Sequence, residues 1–103
     1  MVTKAFRMRL FPGFEEEYRR RHDELWPEMR DMLAAHGARA YSIYLDLESH
    51  YLIGILEIAD ESLWDQAAGT EINQKWWKYM ADIMETNPDN SPVTVALEEV
   101  FTL

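Results

Sequence analysis

The chain has 103 residues, 48% of them hydrophobic, including four Trp, five Tyr and four Phe. That composition fits one domain with its own core, residues 1–103, and excludes a disordered chain. Nineteen acidic residues against ten basic ones give a net charge of −9, which disfavours nucleic acid and anionic membranes as partners. The absence of Cys excludes disulfides, thiolate catalysis and sulfur-ligated metal.

Residues 2–10 alternate, with Phe6, Met8 and Leu10 on one face and Arg7 and Arg9 on the other, the pattern of a half-buried strand. Pro12-Gly13 ends it. From Phe14 to His36 the spacing turns helical, and Tyr18, His22, Leu25, Met29, Met32 and Leu33 share one stripe. Pro27 interrupts that stripe, because proline excludes the preceding residue from helical geometry yet suits a first turn. One helix is therefore expected to end near residues 22–24 and a second to begin at Pro27, closed by Gly37. The Arg19-Arg20-Arg21 run reads as a solvated helix face.

Residues 38–45 and 51–58 read as two strands of a hairpin. A short helix is expected from Asp60 to about Ala68, and Gly69-Thr70 separates it from a longer one over residues 71–84. Residues 86–92 must be loop, and residues 93–101 read as a final strand. The order β, α, β, β, α, β is that of a ferredoxin-like α+β domain with an antiparallel sheet. Helices on one side leave the other face of such a sheet uncovered, so a second copy is expected there, giving a homodimeric α/β barrel. The first residues show no signal-peptide pattern, and no apolar run could cross a bilayer. A cytoplasmic protein is the expectation.

The chemistry-bearing groups are few. His36 falls in a last helical turn, where a positive charge suits the helix dipole. His50 falls in the hairpin turn and is expected to be solvent-exposed. His22 lies one turn after Tyr18, where the Pro27 break opens a cleft, and an imidazole there can exchange protons near neutral pH. A core histidine bonded to a carbonyl is the competing reading. His22-Asp23-Glu24 lacks metal-ligand spacing, no serine sits on a nucleophile elbow, and no glycine-rich phosphate loop exists. Neither metal nor cofactor is expected.

Trp76-Trp77 precedes an amide-rich turn, Asn87-Pro88-Asp89-Asn90-Ser91-Pro92. Helix neighbours point about 100° apart and strand neighbours about 180° apart, so both indoles cannot enter one core. One of them can stack on a sugar whose hydroxyls meet the polar turn, or it can seal a dimer interface. Tyr41, Tyr44 and Tyr51 alternate with aliphatics on the hairpin strands, and a tyrosine on the covered face needs a partner for its hydroxyl.

The sequence resembles the L-rhamnose mutarotase family over essentially its whole length. The resemblance runs through Lys4-Ala5-Phe6, Tyr18-Arg19-Arg20-Arg21-His22, Trp26-Pro27-Glu28 and Tyr41-Ser42-Ile43-Tyr44-Leu45-Asp46. It continues through Trp76-Trp77-Lys78-Tyr79-Met80, residues 87–93 and Glu99-Val100-Phe101. It implies a cytoplasmic homodimer that interconverts the α and β anomers of L-rhamnose without a cofactor. His22 matches the family's proton donor, and Tyr18, Tyr41, Trp76 and Trp77 match its sugar-binding positions. His22 would then protonate the ring oxygen while a second group, a tyrosine hydroxyl or a water, receives the anomeric proton. Two alternatives use the same fold: a cofactor-free monooxygenase, and a sugar-binding module that leaves the anomerisation rate unchanged.

Overall fold

A computed structural model describes residues 1–103. Strand β1 (Val2–Arg9) leads to helix α1 (Glu15–Asp23), α2 (Pro27–Ala35), and the hairpin of β2 (Ala38–Leu45) and β3 (Tyr51–Ile58). Helix α3 (Glu61–Asp65), a 3-10 turn (Ala67–Gly69), α4 (Glu71–Met80) and β4 (Val95–Ala96) complete the chain. All pairings are antiparallel, in the order β2-β3-β1-β4. This is the ferredoxin-like arrangement that the element order implies.

The register sets which side chains meet the helices. Phe6 pairs with Gly54, Met8 with Leu52, and Tyr41 with Leu56, so these residues share the covered face with Ile43 and Leu45. Leu52, Leu56 and Ile58 are almost completely buried. Gly54 has a local reason: an added Cβ would sit 2.5 Å from the Phe6 ring, which lies across the backbone there. Met29 and Met32 of α2 and Trp76 and Met80 of α4 close the core from above.

The helix break falls where the sequence puts it. Trp26 is extended (φ −57°, ψ 133°), as a residue before proline prefers, and Pro27 opens α2. Asp60 caps α3 by accepting from the Leu63 amide at 3.0 Å, and Thr70 caps α4 by accepting from the Asn73 amide.

Four expectations need correction. The helix expected to reach residue 84 ends at Met80, because Ile83 and Met84 are drawn into the core and Met84 bridges to Leu10. The final strand is two residues long, since only Val95 and Ala96 pair with β1. His50 is half-buried rather than exposed, with Nε2 3.1 Å from Glu15, tying the hairpin to the start of α1. Arg21 is no solvated residue. It is 8% exposed and reaches across to α4, donating to the Tyr79 carbonyl at 2.8 Å and to Asp82 at 2.9 Å. Its guanidinium also lies 4.3 Å from the Tyr79 ring centre.

The opposite sheet face carries Ala5, Arg7, Tyr44, Ile53, Ile55 and Val95, with no element of the chain over it. Tyr44 is 63% exposed there, and beyond β4 the tail leaves Val100 and Phe101 largely in solvent. No helix is long and apolar enough to cross a membrane.

Candidate active site

Between the covered sheet face and the helices lies an open cleft of about 930 Å³, within the roughly 300–1,000 Å³ of small-ligand sites. Tyr18, His22, Tyr41, Trp76 and Trp77 all line it. Five residues from α1, β2 and α4 thus converge on one space.

His22 sits on the last turn of α1, one residue before its end. Its Nδ1 is 3.0 Å from the carbonyl oxygen of Tyr18. A carbonyl only accepts, so Nδ1 carries the proton and donates it, leaving Nε2 as the free ring nitrogen. Burial pushes the imidazole below its ordinary value, against the opposing pull of the Tyr18 carbonyl and Asp23. His22 is therefore neutral at pH 7, with a lone pair on Nε2. The carbonyl-bonded histidine and the proton-exchanging histidine are one and the same, because each nitrogen serves one purpose.

The ring is fixed on both sides. Tyr18 stacks on it with centroids 4.2 Å apart and planes 27° apart, and Trp76 meets it edge-on at 5.4 Å. Trp76 in turn packs edge-on against Trp26 at 5.0 Å and lies 5.6 Å from Tyr79. Arg21 clamps this cluster from outside. Its bonds to the Tyr79 carbonyl and Asp82 join α1 to the end of α4, and they hold the Asp82 carboxyl below the usual range.

Tyr18 is 8% exposed, yet its hydroxyl has no hydrogen-bond partner in the chain, and no buried side-chain oxygen or nitrogen is left unsatisfied. Those facts agree only if the hydroxyl opens onto the cleft. Burial raises its phenol well above the ordinary value, and Tyr41 adds to the rise. Tyr41 stands on the sheet, with its ring edge-on to Phe6 at 6.2 Å. It lines the cleft with 39% of its surface exposed, and desolvation pushes its phenol up to about 12. Both phenols stay protonated at neutral pH.

The tryptophan pair divides as helical geometry requires. Trp76 is 7% exposed and belongs to the core, whereas Trp77 is half-buried on the cleft wall. The polar turn does not join them. Asn87 donates to Ser91, and Asp89 accepts from the Ser91 amide at 3.0 Å, so the turn satisfies itself and residues 87–91 stay outside the cleft lining. Its role is to hold a turn with Asn90 at φ 71°, a conformation asparagine tolerates.

Sequence reading missed Asn73 and Arg21. Asn73 is 7% exposed, lines the cleft, and donates from Nδ2 to the Ala68 carbonyl at 3.3 Å, leaving Oδ1 for a ligand. Its signal was its place one turn before Trp76 on the buried stripe of α4. Arg21 lies three residues after Tyr18, on the same side of α1, and its position within a basic run masked that spacing. No group of three or more His, Asp or Glu residues is arranged to hold a metal ion.

Comparisons with known proteins agree over the full length. The family described as L-rhamnose mutarotase matches residues 3–103. An L-rhamnose mutarotase of Enterococcus faecalis is 58% identical over 103 residues, covering all of both chains. One of Lachnoclostridium phytofermentans is 57% identical over all of this chain and 99% of its own. The crystal structure of an L-rhamnose mutarotase of Formosa agariphila superposes with a TM-score of 0.91 at 43% identity, covering 100% of this chain and 99% of that one. An antibiotic biosynthesis monooxygenase superposes at 0.64 with 16% identity, which is a likeness of fold alone. Matches of this extent and identity, on one shared fold, make the chain a member of the L-rhamnose mutarotase family.

Proposed function

We propose that this protein interconverts the α and β anomers of L-rhamnose by opening and reclosing the hemiacetal ring, with no cofactor. The observation that carries the reading is His22, a neutral imidazole with one nitrogen tied to the Tyr18 carbonyl and the other free in a cleft of indoles and phenols. Ring opening moves protons at two oxygens and nothing else, and an imidazole, which can accept a proton at one step and return it at the next, suits that task. The sugar would be held by Trp77 against its apolar edge, including the 6-methyl group, with Tyr18, Tyr41 and Trp76 forming the rest of the wall. Kinship with the mutarotase family supports the same substrate.

Saturation-transfer NMR on L-rhamnose at anomeric equilibrium tests the function directly. Catalytic amounts of the protein are expected to speed magnetisation transfer between the two anomeric protons. Exchange at the solution rate, with saturable sugar binding, would instead identify a sugar-binding module.

The protein works as a cytoplasmic homodimer in this reading. The support is the uncovered sheet face bearing Tyr44, Ile53, Ile55 and Val95, next to a tail that exposes Val100 and Phe101. Apolar surface of that kind is stabilised by burial against a second copy. Sedimentation equilibrium at micromolar protein is expected to give about twice the 12.2 kDa chain mass. A stable monomer there would rule out the barrel.

A further inference from the structure

We propose that Tyr18 is the second proton-transfer group: its phenol delivers a proton to the ring oxygen while Nε2 of His22 takes the proton leaving the anomeric hydroxyl. The inference rests on the mutarotase reading and assigns the two proton roles within it. Nδ1–H of His22 is committed to the Tyr18 carbonyl at 3.0 Å, so exchange with the sugar runs through Nε2, and burial favours the neutral ring with a lone pair there. It must begin as the acceptor. A donor is then needed beside it, and the Tyr18 ring lies 4.2 Å away, stacked on the imidazole. The Tyr18 side chain is more than nine-tenths buried, and its hydroxyl has no partner except whatever fills the cleft. Tyr41 is more exposed and stands on β2, and its ring packs on Phe6 and not on the imidazole, which suits it to holding the sugar.

The step balances without any further reagent. As Nε2 accepts the proton from O1, the O1–H electron pair forms the C1=O bond. The C1–O5 bond breaks towards O5, which takes the Tyr18 proton. The products are an open-chain aldehyde, an imidazolium and a phenolate, and the two charges lie on stacked rings in a partly desolvated site, where their attraction is strong. Rotation about C1–C2 turns the other carbonyl face to O5. Reclosing then returns the O5 proton to Tyr18 and the imidazolium proton to O1, so His22 donates in this half of the cycle. Burial raises the phenol toward the range of the sugar hydroxyl with which it exchanges, which reduces the mismatch in each direction.

Two measurements decide the proposal. Tyr18→Phe keeps the stacked ring and removes only the hydroxyl. At saturating L-rhamnose its kcat for anomer exchange is expected to fall by about 10²–10⁴-fold, with Kd for the sugar changing by less than about tenfold. Tyr41→Phe is expected to do the reverse, weakening binding more than it slows kcat. Wild-type kcat in Tyr18→Phe, or a loss confined to affinity, would overturn the role of Tyr18. The second measurement is the pH profile of the wild-type enzyme, after subtraction of the spontaneous rate. Asp23 on α1 favours the imidazolium, while Lys4 on β1, Arg30 on α2, Arg39 on β2 and Asp65 on α3 line the same cleft. With neutral His22 as acceptor, the rate should hold through neutral and mildly alkaline pH. It should then fall on acidification through a value below 6.5. A rate that falls as pH rises through that value would make His22 the initial donor and overturn the assignment. An absence of any wild-type exchange would overturn the reaction itself, a result that neither variant could mimic.

Discussion

His22→Asn is expected to remain folded and to bind L-rhamnose while losing about 10²–10⁴-fold in anomer exchange. Asparagine preserves a polar side chain able to bond the Tyr18 carbonyl, but it has no group that gains and loses a proton near neutrality. The loss should therefore appear in kcat and not in Kd. Thermal unfolding measured beside NMR exchange separates chemistry from structure. Near wild-type exchange in a folded variant would remove His22 from the mechanism. The variant should also change the acid limb of stability. Burial lowers the His22 pKa in the folded state, so the unfolded chain binds the proton more readily. Wild-type stability then declines as pH falls below 6.5 through the lowered value, and His22→Asn should lose that part of the decline. A variant whose acid unfolding matches wild type would show that His22 titrates alike in both states, which would contradict its burial between Tyr18 and Trp76.

The parts legible in the sequence were those set by local rules. Alternation in residues 2–10 located β1, the 3.6-residue stripe through Tyr18, His22 and Met29 located the helices, and Pro27 located the break between them. His22 stood out for the same reason, since the break that ends α1 also opens the cleft. What could not be read were features decided by distant neighbours. Val95, Leu97 and Val100 look like the apolar anchors of a longer strand, but the ladder to β1 ends at Ala96, with one further bond from the Leu97 amide to the Ala5 carbonyl at 2.9 Å. Ile83 and Met84 continue a helical apolar pattern, but tertiary contacts with Phe11 and Leu10 take them out of it. Arg21 is the sharpest case. A guanidinium in a run of three looks solvated until the end of α4, with its free carbonyl and Asp82, is brought against it. The polar turn misled in the opposite direction, because nothing local shows that Asn87, Asp89 and Ser91 bond one another and stand outside the cleft lining.

Alanine at each tryptophan should give two different phenotypes from adjacent positions. Trp76 is 7% exposed and packs on His22, Trp26 and Tyr79, so Trp76→Ala leaves a cavity in the aromatic cluster and is expected to lower stability by about 3–5 kcal/mol. In a chain this small that is a large share of the total, and the midpoint of thermal unfolding should drop by well over ~10 °C. Trp77 is half-buried on the cleft wall, and its removal should leave stability nearly unchanged. L-Rhamnose affinity should instead weaken by about 1–3 kcal/mol, as expected for losing a large apolar side chain against the ligand. Calorimetric unfolding and tryptophan-fluorescence titration of both variants make the comparison. Equal destabilisation of the two would place Trp77 in the core beside its neighbour. Unchanged sugar affinity in a folded Trp77→Ala would move the platform elsewhere on the wall, with Tyr41 as the remaining aromatic face on the sheet side.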